Sequence, residues 1–324
     1  MCAEIRRGNN SNFLPEADCM RLNKKNFLKF TPLIIFLLSI SVNTYAEEYF
    51  ITEEIFVTAT RIVTQSKKIG SPISIIDKKE IDKMQFLDLS EALSYIPGLH
   101  KVSIGGTGHQ TSLFIRGSNS NHSLTLIDGI EMGDPSASSG AFDFGNIFIG
   151  LVDRIEVLRG SQASIYGSEA IGGVVNIITP RPSSNYIKYL MQYGSHSTHR
   201  ESVEISKYSD KIAFLGSLSF TGSNGESLTS SRFRGAGTYN EDDSYQNMSG
   251  SIKLGLNLYD SRDIGFVFHY FDTKAELDPT AEDPDSNSTT TQYFAKVESS
   301  MSFFENVINN ISSINISKIN REFL

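Results

Sequence analysis

Cysteine and tryptophan are nearly missing from this chain of 324 residues, which holds two cysteines and no tryptophan. Cys2 and Cys19 both lie ahead of a segment with the features of a cleavable export signal, so we expect no disulfide in the exported chain. A cysteine nucleophile is excluded for the same reason, and HExxH and GxSxG motifs are also absent from the sequence. These absences predict a protein that is not an enzyme.

Basic charge is scarce as well, since 29 lysines and arginines stand against 37 aspartates and glutamates and the pI is about 5.3. No arginine-rich stripe is present, so we expect no nucleic-acid partner. A GxxxxGK phosphate-binding motif is missing too. The GGTG cluster at 105–108 lacks the strand–helix context that a nucleotide-binding loop requires.

The N-terminal apolar run, FTPLIIFLLSI at 30–40, has 11 residues, which is too short to span a bilayer as a helix. Three lysines precede it and the small-residue sequence TYA follows at 44–46, in the order of a secretory signal. We therefore predict a signal peptide over 1–46, in which 1–19 is an upstream extension and Met20 the true start. A buried core helix is the alternative interpretation.

After this signal, residues 47–70 hold one short β-prone run between charged flanks and predict a mobile arm. Residues 71–182 mix helical and strand patterns. Asp88 is placed to cap a helix that Pro97-Gly98 ends. Strand patterns occur at 73–76, 111–117, 123–129, 154–160 and 172–179.

From about residue 186 the pattern changes to alternation of apolar and polar residues. In SIKLGLNLY (251–259), for example, the apolar residues from Ile252 to Leu258 alternate with Lys253, Gly255 and Asn257. Segments of this kind, about ten residues long and separated by polar connections, are typical of transmembrane β-strands with lipid on one face. A soluble sandwich shows the same alternation and is the alternative.

Six motifs in order resemble the TonB-dependent outer-membrane receptors: EEIFVTATR, LSYIPGL, LFIRGSN, LTLIDGI, VDRIEVLRG and YGSEAIGGVVNIITPR. The sequence is most similar to the family members that take up cobalamin, although Ser161 stands where the family usually has proline. The resemblance implies an α+β plug domain over 71–182, with a mixed four-stranded sheet and short helices. The first strands of an incomplete transmembrane antiparallel β-barrel would follow over 183–324.

Within such a plug, Gly172 and Gly173 would allow a sharp turn and a close backbone approach. The apolar run Val174–Ile178 would then be the central strand, buried on both faces.

The resemblance also implies that the arm carries the TonB box, which would add as a strand to the periplasmic domain of TonB. An edge strand of the plug is the alternative. The predicted TonB-binding residues are Glu54, Ile55, Phe56, Val57, Thr58, Ala59 and Thr60.

Ligand contacts are implied for two outward plug loops built of small hydrogen-bonding residues. A cobalamin-like ligand is expected, but His109 would also suit haem or an iron chelate such as a siderophore; as a further alternative it is only solvated. The predicted ligand-binding residues are Gly105, Gly106, Thr107, Gly108, His109, Ser112, Ser138, Ser139 and Gly140.

Charged residues within apolar strands suggest ion pairs that lock the plug in register, because unpaired charges are costly at a buried contact. We predict that Arg116 and Arg159 pair with carboxylates, one of them Glu156; solvent-facing positions are the alternative.

Two acidic segments, 240–247 and 276–287, are rich in the oxygen ligands that calcium prefers. We predict that they bind calcium; the alternative is that they are only solvated. The predicted calcium ligands are Asp242, Asp243, Asp283 and Asp285.

These features predict a receptor for active uptake of a scarce, large ligand in the outer membrane of a Gram-negative cell, in contact with outer-membrane lipid. The residues after 185 suffice for roughly seven or eight strands, so we expect an N-terminal portion of a receptor that is inactive alone. The alternative is a soluble periplasmic binding module of the plug type.

Overall fold

The computed structural model describes residues 56–57, 64–65, 69–86, 88–134, 137, 139–147, 149–225, 243–259, 262–276, 286–303 and 308–323. All of them fall in one compact unit, Thr52–Leu324. The second unit, Met1–Ile51, and the predicted signal peptide within it lie outside the described residues. Among the helices of the described segments, none has the length and apolar character needed to cross a membrane.

The predicted arm contains a short strand pair. Strand β1 (Phe56–Val57) pairs antiparallel with β2 (Thr64–Gln65) in a two-stranded sheet of its own. The alternative prediction, an edge strand of the plug sheet, is therefore wrong. The other predicted TonB-box positions, 54–55 and 58–60, lie outside the described residues.

The plug is built on a mixed sheet of five strands, not four as predicted. They are β3 (Ile73–Ile76), β6 (Ser123–Ile127), β7 (Ile130–Met132), β8 (Arg154–Arg159) and β9 (Gly173–Ile178), in the order β3-β8-β9-β6-β7. β6 and β9 are parallel, and the other neighbours are antiparallel. The additional strand is β7, which returns beside β6 after a tight turn.

That turn is made by Asp128 and Gly129, whose φ angles of 51° and 79° are both positive. Two central residues with positive φ match the twist of a β-hairpin, and Asp-Gly is a favoured pair there. The dipeptide in LTLIDGI thus explains why the chain reverses.

The central strand of the sheet is β9, as predicted, and all six of its residues are buried. A Cβ at Gly173 would overlap the carbonyl oxygen of Leu158 on the neighbouring strand. Glycine is required here because the two backbones approach closely.

Three helices and a hairpin cover this sheet. Helix α1 (Lys78–Met84) begins after Asp77, and α2 (Leu89–Ser94) begins after Asp88, whose Oδ1 accepts the Glu91 N–H at 2.7 Å as predicted. The hairpin joins β4 (Leu99–Ser103) to β5 (Thr111–Ile115), and a short helix α3 spans Ala163–Tyr166. Leu89, Ala92 and Leu93 on α2 are fully buried in the core.

The rest of the described chain forms one antiparallel sheet of seven strands in sequence order, which we call the wall. Its strands are β10 (Tyr186–Tyr193), β11 (His199–Tyr208), β12 (Ile212–Ser223), β13 (Tyr245–Tyr259), β14 (Arg262–Glu276), β15 (Asn287–Phe303) and β16 (Ile308–Phe323). The sheet is not closed into a barrel, since β10 and β16 do not pair with each other in the described part of the chain.

The two faces of the wall differ as the alternation predicts. On β12, Ser219 and Thr221 are buried, whereas Leu218 and Phe220 are exposed. On β13 the same holds for buried Ser251 and exposed Ile252. At these positions polar residues lie on the buried face and apolar residues on the exposed face, which is the arrangement of a sheet bordered by lipid.

The two ends of the wall differ in the length of the connections between strands. One end, which we call the outer end, carries the connections 194–198, 224–244 and 277–286; the other, the inner end, carries 209–211, 260–261 and 304–307.

Candidate functional site

The first outward loop, residues 104–110, connects β4 to β5 and rests on the outer end of the wall. His109 is only 5% exposed, and its Nε2 lies 2.8 Å from the backbone oxygen of Glu276. A carbonyl oxygen only accepts, so the imidazole must donate this hydrogen bond. His109 therefore anchors the loop to the wall, and the interpretation of a solvated side chain is wrong, whereas a ligand contact of His109 stays a prediction.

The glycines of this loop serve two purposes. A Cβ at Gly108, where φ is +83°, would overlap the ring of Tyr245 on β13, and a Cβ at Gly105 would overlap the His109 ring. These two glycines are needed for packing against the wall. Thr107 is exposed and Gly106 half-buried, so they remain available to a ligand.

A small cleft of about 180 Å³ lies between this loop and the start of α2. Ser103 and Thr111 contribute hydroxyl groups to it, and Lys101 Nζ donates to Ser90 Oγ at 3.3 Å. Its groups suit a small polar part of a ligand. A larger cavity of about 410 Å³ lies between α1 and the first wall strands, away from this loop.

The second outward loop, residues 133–143, is held at both of its ends by one arginine of β16. Arg321 Nη2 lies 3.1 Å from Asp134 Oδ2 and 3.0 Å from Asp143 Oδ2. Between these ends Ser139 and Gly140 are exposed, and Ser138 lies outside the described residues. Ser112, on β5, is half-buried.

Asp143 accepts hydrogen bonds on both carboxylate oxygens. Oδ1 receives the Thr111 N–H at 2.9 Å and the Gly145 N–H at 3.0 Å, while Oδ2 receives Asn146 Nδ2 at 3.1 Å as well as Arg321. Burial raises the pKa of Asp143 above its ordinary value, and the two N–H donors and Arg321 oppose that shift without cancelling it.

A second charged contact joins the plug to the middle of the wall. Asp128 Oδ2 lies 3.0 Å from Lys253 Nζ on β13 and 2.9 Å from His269 Nε2 on β14. Thr179 donates its backbone N–H to Oδ1 and its hydroxyl to Oδ2. Burial alone would raise the pKa of Asp128, but Lys253 and His269 outweigh it and the pKa is lowered.

Two further hydrogen bonds reinforce this contact. Lys253 Nζ also donates to the Thr179 carbonyl at 2.8 Å, and Lys296 Nζ on β15 donates to the Asp128 carbonyl at 3.2 Å. Three successive wall strands therefore bind one two-residue turn of the plug.

The predicted locking pair is wrong. Glu156 pairs with Arg154 at 2.9 Å, and Arg159 instead donates to the Pro97 carbonyl at 2.6 Å and Ser74 Oγ at 2.9 Å, all within the plug. Arg116 is exposed and forms no ion pair with any described residue. In the charged contacts between plug and wall, the plug supplies the carboxylates of Asp128, Asp134 and Asp143 and the wall supplies the cations.

Sequence reasoning missed Lys253, His269 and Arg321. A usable signal existed for the first two, because each occupies a polar-face position of an alternating strand, where a large charged or titratable group must meet the plug.

The calcium prediction is not tested by the described residues. Asp243 is buried, and Asp242, Asp283 and Asp285 lie outside the described segments. Within those segments, no group of three or more His, Cys, Asp or Glu side chains is arranged to hold a metal ion. Calcium binding stays a prediction.

Comparison with known proteins identifies the plug. Residues 65–174, which include both outward loops, match the TonB-dependent Receptor Plug Domain family. The chain is 32% identical over 238 residues to the vitamin B12 transporter BtuB of Photobacterium profundum, covering 72% of this chain and 37% of that protein. It is 36% identical over 141 residues to the vitamin B12 transporter BtuB of Vibrio vulnificus, covering 44% of this chain and 23% of that one.

Solved structures share the fold at low sequence identity. The alcaligin outer-membrane receptor FauA of Bordetella pertussis superposes with a TM-score of 0.63 at 14% identity, covering 82% of this chain and 42% of that one. The ferric enterobactin receptor PfeA of Pseudomonas aeruginosa in complex with enterobactin gives 0.58 at 18% identity, covering 78% and 42%.

The chain spans 37% of the length of the Photobacterium relative, so these matches concern one part of such a receptor. The matched proteins are named as transporters and receptors. Over the residues that these comparisons cover, the chain belongs to the TonB-dependent receptors, a family of the Gram-negative outer membrane.

Proposed function

We propose that this chain acts in the active uptake of a scarce, large ligand across the outer membrane, and that the ligand is cobalamin. The observation that carries the proposal is the 32% identity, over 72% of the chain, to a protein named as a vitamin B12 transporter. We also propose the division into a signal peptide (1–46), an arm (47–70), a plug (71–182) and a wall (183–324).

The geometry of the outward loops supports ligand binding at the outer end of the wall. Thr107 on the first loop and Ser139 and Gly140 on the second are exposed, and they offer hydroxyl and backbone groups to a polar ligand. Both loops are fixed to the wall at their bases, by His109 and by Arg321. A pre-formed surface of this kind lowers the entropic cost of binding.

Coupling to TonB would use the arm. The β1–β2 pair extends over two residues on each strand, and each main-chain hydrogen bond is worth about 1 kcal/mol net. Strand addition to TonB could therefore replace this pairing at little cost, with residues 54–60 as the added strand.

Saturable binding of cyanocobalamin to outer membranes that hold the chain would test the ligand. Membranes without the chain serve as the control, and Thr107→Arg should weaken binding because a long charged side chain would enter the proposed contact surface. Equal binding by both membrane preparations would refute cobalamin as the ligand.

TonB coupling is tested separately by energy-dependent uptake. Val57→Pro should abolish uptake and leave binding intact, because proline lacks the N–H that strand addition needs. Val57→Ala, which keeps the N–H, is the matched control. If both variants take up ligand equally, the assignment of the TonB box is wrong.

Haem or siderophore uptake is not favoured by His109, which is buried on the wall and already donates to Glu276. A soluble periplasmic module is disfavoured by the exposed apolar face of the wall, since soluble domains bury such a face. Haemin and ferric enterobactin, added as competitors of cyanocobalamin, distinguish the ligands; cell fractionation distinguishes the compartments.

A further inference from the structure

The two outward loops converge on a single carboxylate. Asp143 is the last residue of the second loop, and its Oδ1 accepts the backbone N–H of Thr111, the residue at which the first loop enters β5. The same oxygen holds the Gly145 N–H at 3.0 Å. One side chain, 5% exposed, therefore fixes the ends of both loops.

A single guanidinium connects this junction to the wall. Arg321 Nη2 binds Asp134 at the start of the second loop and Asp143 at its end. Its Nε donates to Thr290 Oγ1 on β15 at 3.3 Å, which orients the guanidinium across the strand pair. Arginine suits this position because its planar group presents several donors in fixed directions.

The first loop also touches the residues that follow the second loop, beside the junction. A Cβ at Gly145 would overlap the backbone oxygen of His109, and Thr111 Oγ1 donates to that same oxygen at 3.0 Å. A shift of the first loop must therefore disturb the residues that follow the second.

From these contacts we infer that Asp143 is a positioning residue that, together with Arg321, holds both outward loops as one binding surface. The inference rests on the proposed ligand-binding role of the loops. It assigns the positioning of the loops to the buried junction of Asp143 and Arg321, whereas the exposed residues of the loops make the proposed ligand contacts.

Hydrogen exchange on the full chain in detergent micelles tests the junction without any ligand. Arg321→Gln should raise amide exchange about tenfold in both 104–111 and 133–147 and leave β8 and β9 unchanged, because loops open locally and independently of the core. Arg321→Lys keeps the positive charge but loses the planar guanidinium with its several fixed donors, so its amide exchange should rise by less than that of Arg321→Gln. Loosening of one loop alone, of neither, or of the whole plug equally would overturn the inference.

Cyanocobalamin binding gives the second readout. Arg321→Gln should raise the Kd about tenfold with the maximal binding unchanged, and Arg321→Lys should recover part of the loss. If the loops loosen and the Kd does not move, the positioning role is wrong. If the unaltered chain does not bind cyanocobalamin, the proposed ligand fails, and hydrogen exchange alone decides the inference.

Discussion

The plug is joined to the wall by two charged contacts that are built differently. At Asp128, a carboxylate in a tight hairpin turn receives donors from β13 and β14 and from the end of β9. At Asp143, a carboxylate at the base of a long loop takes one donor from the wall, Arg321, and its others from the plug itself. The first contact fixes the plug sheet in place, and the second fixes its loops.

The surroundings of the two carboxylates set their pKa values apart. Lys253 and His269 lower the pKa of Asp128 despite its burial, whereas burial prevails at Asp143 and raises its pKa. Two wall groups, Lys253 and His269, favour the charged form of Asp128, so that carboxylate is held firmly in its charged form. Only one wall group, Arg321, favours the charged form of Asp143, so its charged form is held more weakly. The difference indicates an anchor at Asp128 and an adjustable contact at Asp143.

Removing the anchor charge should have the largest effect. Asp128→Asn keeps a residue that tolerates the left-handed conformation, but it leaves Lys253 buried without its counter-ion. Breaking a buried pair in this way costs about 3–5 kcal/mol. Denaturant unfolding in detergent measures this loss as a fall in the free energy of unfolding.

Asp82→Asn is the matched control, since Asp82 pairs with Lys78 at 3.1 Å and its side chain is 57% exposed. An exposed pair contributes below about 1 kcal/mol. Similar losses for the two variants would show that Asp128 is not an anchor.

An effect of similar or smaller size is expected from Gly108→Ala, which acts at the outer end. The left-handed φ costs alanine about 1–2 kcal/mol, and the overlap with the Tyr245 ring adds about 1–3 kcal/mol. Gly117→Ala is the control, because φ there is +77° and no atom lies within 4 Å of the added Cβ. Protease cleavage in 104–110 should rise for Gly108→Ala only; equal cleavage would contradict docking of the loop on the wall.

The smallest effect should come from acidification. An ordinary aspartate takes up its proton near pH 4. Asp143 takes up its proton at a higher pH than that, and Asp128 at a lower pH. Because the pKa of Asp143 is raised by folding, its proton uptake favours the folded state, so the docked loop is stabilised further as the pH falls. The stabilisation by Asp128 persists until the pH falls through its lowered pKa.

Hydrogen exchange, corrected for its intrinsic pH dependence, should therefore show that 133–147 keeps or gains protection as the pH falls from 7. The turn at 128–129 should remain protected over the same range. Loosening of 133–147 over this range would show that folding does not raise the pKa of Asp143.

The sequence predicted the local features of the fold well. The Asp88 cap, the buried central strand after Gly173 and the alternation along the wall each depend on neighbouring residues, and the structure confirms all three. The fifth strand was missed because β7 has three residues, too few for a period-2 pattern, although the Asp-Gly turn signals the reversal.

Charge partners were harder to predict because they depend on how distant segments pack. Asp128 meets Lys253 and His269 only once the wall surrounds the plug, and no spacing in the sequence encodes that contact. His109 illustrates the same point, since a histidine in a glycine-rich loop suggests exposure until Glu276 is seen beside it. Glu156 paired with Arg154, two residues away, in preference to the predicted Arg159.

The parallel pairing of β6 with β9 has a consequence for how such plugs can diversify. A parallel pair requires a crossover, and here the crossover contains β7, the second outward loop and β8. Residues added within that loop would lengthen the crossover without changing the pairing register of β6 and β9. One scaffold could thereby acquire new ligand contacts by insertion, with its stable sheet inherited unchanged.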